Sequence, residues 1–165
     1  LDLSKIESGA NLLEDELDMT KIINDTIPVL APKAEQKEIN LKLDIVSNLP
    51  KITGNQEQLS RLMINLIDNA IKYTSAGGKV EVRLYSKYNN LVIEIEDNGI
   101  GIPEEDIPRI FERFYRVNKA RSRELGGTGL GLSIVKHIVE QHNGEIDVKS
   151  ELEQGTTFII EIPAA

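Results

Sequence analysis

The chain has 165 residues, which at ~150 residues per domain predicts a single domain with room for a two-layer core. It carries 19 Lys and Arg against 27 Asp and Glu, a net charge of −8, and such a surface disfavours nucleic acid and anionic membranes as partners. The absence of cysteine excludes disulfide scaffolds, thiol catalysis and cysteine-ligated zinc. No apolar run approaches the ~18 residues of a membrane helix, and no signal peptide is evident, so we expect a soluble, acidic, intracellular domain.

Apolar periodicity predicts the elements in chain order. Residues 1–9 have the spacing of a helix that begins without a cap, so we expect them to be the tail of a longer, preceding helix, and residues 10–165 to form the domain. A short edge strand is expected over 11–18. Helices are predicted over 20–37, 55–74 and 130–141, and strands over 39–46, 79–86, 91–96, 145–150 and 156–162. This order predicts an α+β fold, a two-layer sandwich with helices on one face of a mixed, mostly antiparallel sheet.

Polar residues on the central predicted helix form a first candidate site. Asn65, Asn69 and Lys72 recur about one turn apart, and Tyr73 follows them. Two amide oxygens and an ammonium beside an apolar stripe suit a hydrated Mg²⁺ and the phosphates that it bridges. The alternative is a solvated polar face, although asparagine is a poor helix former and two at this spacing need a reason.

A second candidate site follows the strand that ends near residue 96. Its sequence is Asp97-Asn-Gly99-Ile-Gly101-Ile102. A carboxylate at a strand end can accept a hydrogen bond from an exocyclic amine such as that of adenine, and the glycines allow a flat ring to lie close to the backbone. Ordinary turn chemistry is the alternative.

A third candidate site, Gly127-Thr128-Gly129-Leu130-Gly131, opens the last predicted helix. Its glycines expose successive backbone N–H groups at a helix N-terminus, which favours phosphate, and a flexible hinge is the alternative. The spacing matches neither the dinucleotide fingerprint nor the Walker pattern. His137 and His142 do not have the spacing of a zinc-protease motif, so we expect them to be structural or to face solvent.

Together and in this order, these motifs resemble the ATP-binding catalytic domain of sensor histidine kinases, in the group shared with gyrase, Hsp90 and MutL. Residues 65–73 look like the N box, and residues 97–101 like the first glycine box. Residues 111–116 (Phe-Glu-Arg-Phe-Tyr-Arg) look like the F box, residues 127–131 like the second glycine box, and residues 155–158 (Gly-Thr-Thr-Phe) like the terminal strand motif. The run over 110–122 looks closest to phosphate-regulon sensor kinases of Gram-positive bacteria. The resemblance implies a Bergerat-type ATP-binding fold. It also implies that residues 1–9 are the tail of the preceding dimerisation and phosphoacceptor helix.

The resemblance also implies roles for individual residues. Asn69 would ligate Mg²⁺ with Asn65 in the same shell, Lys72 would neutralise phosphate charge, and Tyr73 would pack near the adenine. Asp97 would accept from the adenine amine, with Thr156 nearby through water, and Arg116 would reach the terminal phosphate, so that Lys72 and Arg116 are the expected catalytic side chains. The remaining expected nucleotide contacts are Gly99, Gly101, Ile102, Tyr115, Gly127, Thr128, Gly129, Leu130 and Gly131.

Two departures from the wider group refine this expectation. The ATPase relatives place a water-activating Glu where this chain has Asn65, which disfavours hydrolysis and leaves the γ-phosphoryl for another acceptor. The histidine kinase acceptor motif, His followed by an acidic residue, is absent, because His137 precedes Ile138 and His142 precedes Asn143. The fragment should therefore bind ATP and Mg²⁺ but lack its own substrate.

The expected activity is ATP-dependent phosphorylation of a histidine on a separate helical hairpin domain, followed by relay to an Asp of a response regulator. The expected location is a cytoplasmic domain of a homodimeric, membrane-bound parent, with a nucleotide lid over about 118–128 that orders when nucleotide binds. The alternatives are a protein-serine kinase of the anti-sigma-factor type, which needs no hairpin, and a non-catalytic ATP-binding regulatory module.

Overall fold

The computed structural model describes residues 15–117 and 131–165. The predictions for residues 1–9 and for the lid over 118–128 lie outside these ranges. In chain order the described elements are β1 (Asp15–Leu17), α1 (Met19–Gln36), β2 (Asn40–Ile45), β3 (Ile52–Gly54), α2 (Gln56–Lys72), β4 (Lys79–Lys87), β5 (Asn90–Asp97), a 3-10 helix (Glu104–Arg109), α3 (Gly131–Gln141), β6 (Glu145–Glu151) and β7 (Gly155–Pro163).

The main sheet has five strands in the order β2-β4-β5-β7-β6. Only the β2–β4 pair is parallel, and the other three neighbouring pairs are antiparallel. The three α-helices pack on one face of this sheet, and side chains from both layers form one buried apolar cluster. The predicted fold class is therefore confirmed.

Helix α2 lies at the centre of the helical layer. Asn55 caps its start, because the Asn55 side chain accepts a hydrogen bond from the backbone N–H of Gln58 at 3.0 Å. Its apolar residues recur every three or four positions, and all seven are buried: Leu59, Leu62, Met63, Leu66, Ile67, Ala70 and Ile71. This continuous stripe is why the sequence-based bounds of α2 are close to the observed ones.

Helix α1 continues through two prolines, a residue that usually interrupts a helix. Pro28 and Pro32 both lie within the helix, and both are exposed. The carbonyl groups that lose an N–H partner at a proline can bond to water on a solvent-facing surface, so the helix persists.

Two short elements were not predicted from the sequence. Strand β3 has three residues and pairs with β1, which lies within the predicted edge strand; residues 11–14 of that prediction are outside the described residues. The 3-10 helix covers Glu104–Arg109, where no helix or strand was predicted. Neither segment is long enough to show periodicity. No described helix combines the length and the apolar content needed to span a bilayer.

Candidate functional site

Asp97 ends β5 in a buried position, with only 7% of its surface exposed. Its Oδ1 accepts hydrogen bonds from the N–H groups of Gly99 at 2.9 Å and Thr156 at 3.3 Å. Burial raises the pKa of the Asp97 carboxyl to about 6, although the two backbone donors oppose that shift. The carboxylate is therefore held in one orientation at a cost in solvation, which is typical of functional carboxylates rather than of turn residues.

The two glycines after Asp97 lie against the protein's own backbone. A Cβ at Gly99 would lie 2.2 Å from the carbonyl oxygen of Tyr73, and a Cβ at Gly101 would lie 2.2 Å from that of Glu151. Gly101 also has a φ of +75°, which favours glycine. Close packing within the protein thus accounts for both glycines, and contact with a flat ring remains a prediction.

Ser150 joins the Asp97 loop to the adjacent strands and was not predicted as a site residue. Its Oγ accepts a hydrogen bond from the N–H of Ile102 at 2.7 Å and lies 2.8 Å from Oγ1 of Thr156. A serine at a strand end gives no functional signal in a sequence, because its importance depends on neighbours from two other segments.

The four predicted residues of α2 and its cap are all half-buried: Asn65, Asn69, Lys72 and Tyr73. The side-chain nitrogen of Asn65 is buried and has no hydrogen-bond partner among the described residues. A buried amide donor of this kind requires an acceptor, and a phosphate oxygen or a metal-bound water would provide one. Asn65 and Asn69 thus offer the hard oxygen ligands and the free donor that a Mg²⁺–phosphate group needs.

Lys72 is paired with a carboxylate that was not predicted as part of the site. Its Nζ lies 3.3 Å from Oδ2 of Asp68, and Nζ of Lys33 on α1 lies 3.2 Å from Oδ1 of the same residue. Both pairs are partly exposed, so they contribute little stability. Phosphate oxygens that approach Lys72 therefore compete with Asp68.

The end of α2 is fixed by contacts from two directions. Lys37 Nζ donates to the carbonyl oxygens of Ile71 at 2.8 Å and of Lys72 at 2.6 Å, which compensates the last carbonyls of the helix. The carbonyl oxygen of Tyr73 accepts a hydrogen bond from the N–H of Ile100 at 3.1 Å. The structure thus brings the first and second predicted groups of residues together at the end of α2.

An open groove continues from Asn65 along the first half of α2. It is lined by Gln56, Glu57, Ser60, Arg61, Ile64 and Asn65. The residues predicted to contact the base lie at the other end of the same helix.

The segment after the 3-10 helix contains the predicted residues Tyr115 and Arg116, both half-buried. The Tyr115 hydroxyl donates to Asp106, and this hydrogen bond raises the pKa of Tyr115. The Arg109 guanidinium lies 4.4 Å from the centre of the Tyr115 ring. The predicted contact of Arg116 with a terminal phosphate remains a prediction.

The third predicted group is described only at its last residue. Gly131 begins α3, and no atom of the described residues lies within 4 Å of the position that a Cβ would take. Gly127, Thr128, Gly129 and Leu130 lie outside the described residues.

His142 is a buried structural residue. The sequence predicted that it would either be structural or face solvent, and the structure favours the first alternative. Its Nε2 accepts a hydrogen bond from the N–H of Asn55 at 3.1 Å, and its Nδ1 is 2.8 Å from the carbonyl oxygen of Ile138. A Cβ on Gly54 would lie 2.5 Å from the ring, so a glycine is needed there. The described residues include no group of three or more His, Cys, Asp or Glu that could hold a metal ion.

Comparison with known proteins agrees with this arrangement. Residues 54–165 match the family model described as histidine kinase-, DNA gyrase B- and HSP90-like ATPase. The sensor histidine kinase RppB of Synechocystis is 43% identical over 145 residues, which cover 88% of this chain and 32% of that protein.

Two solved structures of histidine kinases have the same fold. A mycobacterial sensor histidine kinase, MprB, superposes with a TM-score of 0.78 and 30% identity, covering 92% of this chain and 98% of that chain. Full-length ShkA, solved in complex with AMPPNP, superposes with a TM-score of 0.80 and 29% identity, covering 94% of this chain and 31% of that chain.

The chain therefore belongs to the histidine kinase-, DNA gyrase B- and HSP90-like ATPase family. Within that family it is an ATP-binding catalytic domain of the sensor histidine kinase type. It spans about a third of the length of its Synechocystis relative.

Proposed function

We propose that this domain binds Mg²⁺-ATP and transfers the γ-phosphoryl group to a histidine on a separate helical hairpin of the same kinase, from which it passes to an Asp of a response regulator. The buried Asp97 carboxylate carries the proposal. It faces no cation among the described residues, and it is oriented by two backbone N–H groups next to the end of α2. The AMPPNP bound in the ShkA structure supports a nucleotide as the ligand.

The C-terminal half of α2, with the Asp97 loop beside it, assigns the two ends of the nucleotide. Asp97 and the Tyr73 cap would receive the adenine, and its exocyclic amine would donate to Oδ2 of Asp97, which accepts no hydrogen bond from a described residue. Asn69 and Asn65, further back along α2, would hold Mg²⁺ with the phosphates, and Lys72 would exchange Asp68 for a phosphate oxygen. The metal would neutralise charge on the phosphoryl oxygens during transfer.

The groove beyond Asn65 gives the acceptor a direction of approach. It begins at Asn65, which would hold Mg²⁺ beside the phosphates, and leads away from the adenine end. A histidine delivered through this groove would approach the phosphate end of the nucleotide. The parent kinase is proposed to be a membrane-bound homodimer.

Nucleotide titration tests the binding half of the proposal. We expect calorimetry to show ATP binding that weakens when Mg²⁺ is chelated. We expect Asp97→Asn to lower ATP affinity at least ten-fold, because a hydrogen bond to a charged group contributes about 1.5–3 kcal/mol. GTP, which has a carbonyl where ATP has an amine, should bind more weakly than ATP. Equal affinities for the two nucleotides would contradict the role of Asp97.

The transfer half is tested by supplying an acceptor. The domain is mixed with a purified hairpin domain from its own parent kinase and with ATP labelled at the γ-phosphate. We expect label on the hairpin that acid removes and alkali does not, as for phosphohistidine, and no transfer to the hairpin with its histidine replaced. Acid-stable label on a serine would instead favour the protein-serine kinase alternative.

A further inference from the structure

Asp97, Thr156 and Ser150 form one polar row across three strands. Asp97 on β5 lies opposite Thr156 on β7, and Thr156 lies opposite Ser150 on β6. All three face the helical layer, and the next row inward on that face is apolar, with Ile95, Phe158 and Val148. The polar row is therefore the boundary between the hydrophobic core and the predicted adenine site.

The hydroxyl protons of Ser150 and Thr156 can take more than one position, and their positions determine which groups of this row donate hydrogen bonds. Ser150 Oγ already accepts from the N–H of Ile102 at 2.7 Å. It lies 3.1 Å from the carbonyl oxygen of Gly155, which can only accept, and 2.8 Å from Oγ1 of Thr156, which can do either.

One placement satisfies every group within the protein. If Ser150 donates to the Gly155 carbonyl, the Thr156 hydroxyl must donate to Ser150, and both protons are used inside the row. If Ser150 donates to Thr156 instead, the Gly155 carbonyl loses this partner and the Thr156 proton is free to point into the site. The first placement makes one more internal hydrogen bond in a partly buried environment, which favours it.

We propose that Ser150 is a positioning residue for base selection: it takes the Thr156 hydroxyl proton, so that Thr156 and Asp97 present only hydrogen-bond acceptors to the bound purine. This inference rests on the proposed function, in which Asp97 faces the adenine. A site with acceptors alone binds a 6-amino group, which donates to it directly, and disfavours a 6-oxo group, which can only accept. Without Ser150 the Thr156 hydroxyl can rotate and donate, which removes part of that discrimination.

The experiment compares three nucleoside triphosphates that differ at position 6 of the purine. They are ATP with an amine, inosine triphosphate with a carbonyl, and purine riboside triphosphate with hydrogen alone. Dissociation constants are measured by calorimetry at pH 7.5 with Mg²⁺ for the wild-type chain and for Ser150→Ala. We expect Ser150→Ala to lower the affinity ratio of ATP to inosine triphosphate about ten-fold, equivalent to about 1.4 kcal/mol, and to change the affinity for purine riboside triphosphate less than two-fold.

Two further variants separate positioning from simple support of the loop. Ser150→Thr keeps the hydroxyl and should restore the wild-type ratio. Thr157→Val removes the hydroxyl of the next residue, whose side chain is on the opposite face of β7, and should leave the ratio unchanged.

Three results would overturn the inference. An equal loss of affinity for all three nucleotides in Ser150→Ala would show that Ser150 only supports the Ile102 loop. An unchanged ratio would show that Thr156 does not depend on Ser150. Failure of the wild-type chain to bind any of the three would overturn the proposed function itself, and the inference with it.

Discussion

Asp97 is a residue at which the proposed function and the stability of the fold oppose each other. Because burial raises its pKa to about 6 above the ordinary value of the unfolded chain, the folded state binds more protons than the unfolded state between about pH 4 and 6. The Asp97 contribution to the free energy of unfolding is therefore greatest at low pH and is lost as the pH rises through 6.

Replacement of this carboxyl by an amide should stabilise the fold. We expect Asp97→Asn to raise the free energy of unfolding at pH 7.5 by on the order of 1–2 kcal/mol, because the variant no longer buries a charge. Denaturant unfolding at pH 7.5 and at pH 4 measures the difference between variant and wild type. The gain should be smaller at pH 4, and a loss of stability at pH 7.5 would contradict this account.

His142 has the opposite pH dependence. Burial lowers the pKa of His142 below its ordinary value of 6.5, so the unfolded state binds more protons as the pH falls below about 6.5, and the stability that depends on neutral His142 is lost over that range. We expect His142→Gln to destabilise the protein at pH 7.5, where the neutral ring accepts from the Asn55 N–H. The destabilisation should shrink at pH 5.5.

The His142 measurement is best made in two backgrounds. Denaturant unfolding of His142→Gln in the wild-type chain and in Asp97→Asn separates the histidine from the carboxyl that titrates in the opposite direction. A difference between His142→Gln and its parent that stays constant from pH 5.5 to 7.5 would exclude a neutral, buried His142 as its cause.

At the scale of elements, the end of α2 depends on the side chain of Lys37, the residue that follows α1. We expect Lys37→Met to lower both the free energy of unfolding and the affinity for ATP, each by about 1 kcal/mol, because two carbonyls at the end of α2 lose the Lys37 ammonium as a donor. Calorimetry with ATP and thermal unfolding measure the two effects.

Lys33→Met is the matched control for this substitution. Lys33 lies in the last turn of α1, four residues before Lys37, but its side chain is 59% exposed and it contacts only the partly exposed Asp68 among described acidic groups. Its replacement should change stability by less than about 0.5 kcal/mol. Equal effects of the two substitutions would show that charge alone, rather than the cap, supports α2.

Elements with strong periodicity were predicted well, and the contacts that complete the site were not. Helix α2 and the β4–β5 hairpin repeat their apolar residues over many positions, so their bounds follow from local pattern. Ser150 accepts a hydrogen bond from Ile102, 48 residues earlier, and His142 accepts one from Asn55, 87 residues earlier. Contacts of this kind depend on strand register and packing, which periodicity does not determine.

The molecule as a whole has one core shared by its helices and its main sheet. Leu66 and Ile93 are both fully buried in the same apolar cluster. We expect Leu66→Ala to lower the free energy of unfolding by about 2–5 kcal/mol, because it leaves a cavity between the layers. Circular dichroism and tyrosine fluorescence, which is not obscured because the chain has no tryptophan, should then report one coincident unfolding transition.

Val29→Ala is the control for the core substitution. Val29 is 56% exposed on α1, so its truncation should change stability by less than about 0.5 kcal/mol. Two separate transitions for Leu66→Ala, or equal effects of both substitutions, would contradict a single shared core.

The contact between the Asp97 loop and the end of α2 has a consequence for the length of ligand that the domain can accept. The Ile100 N–H bonds to the Tyr73 carbonyl, and Gly99 packs against the same oxygen, so the part that would hold the base is fastened to the helix that would hold the phosphates. The distance between the proposed adenine site and the proposed phosphate site is then fixed by the fold. A nucleotide bound at Asp97 would have its terminal phosphate at a defined position along α2, whichever partner receives it.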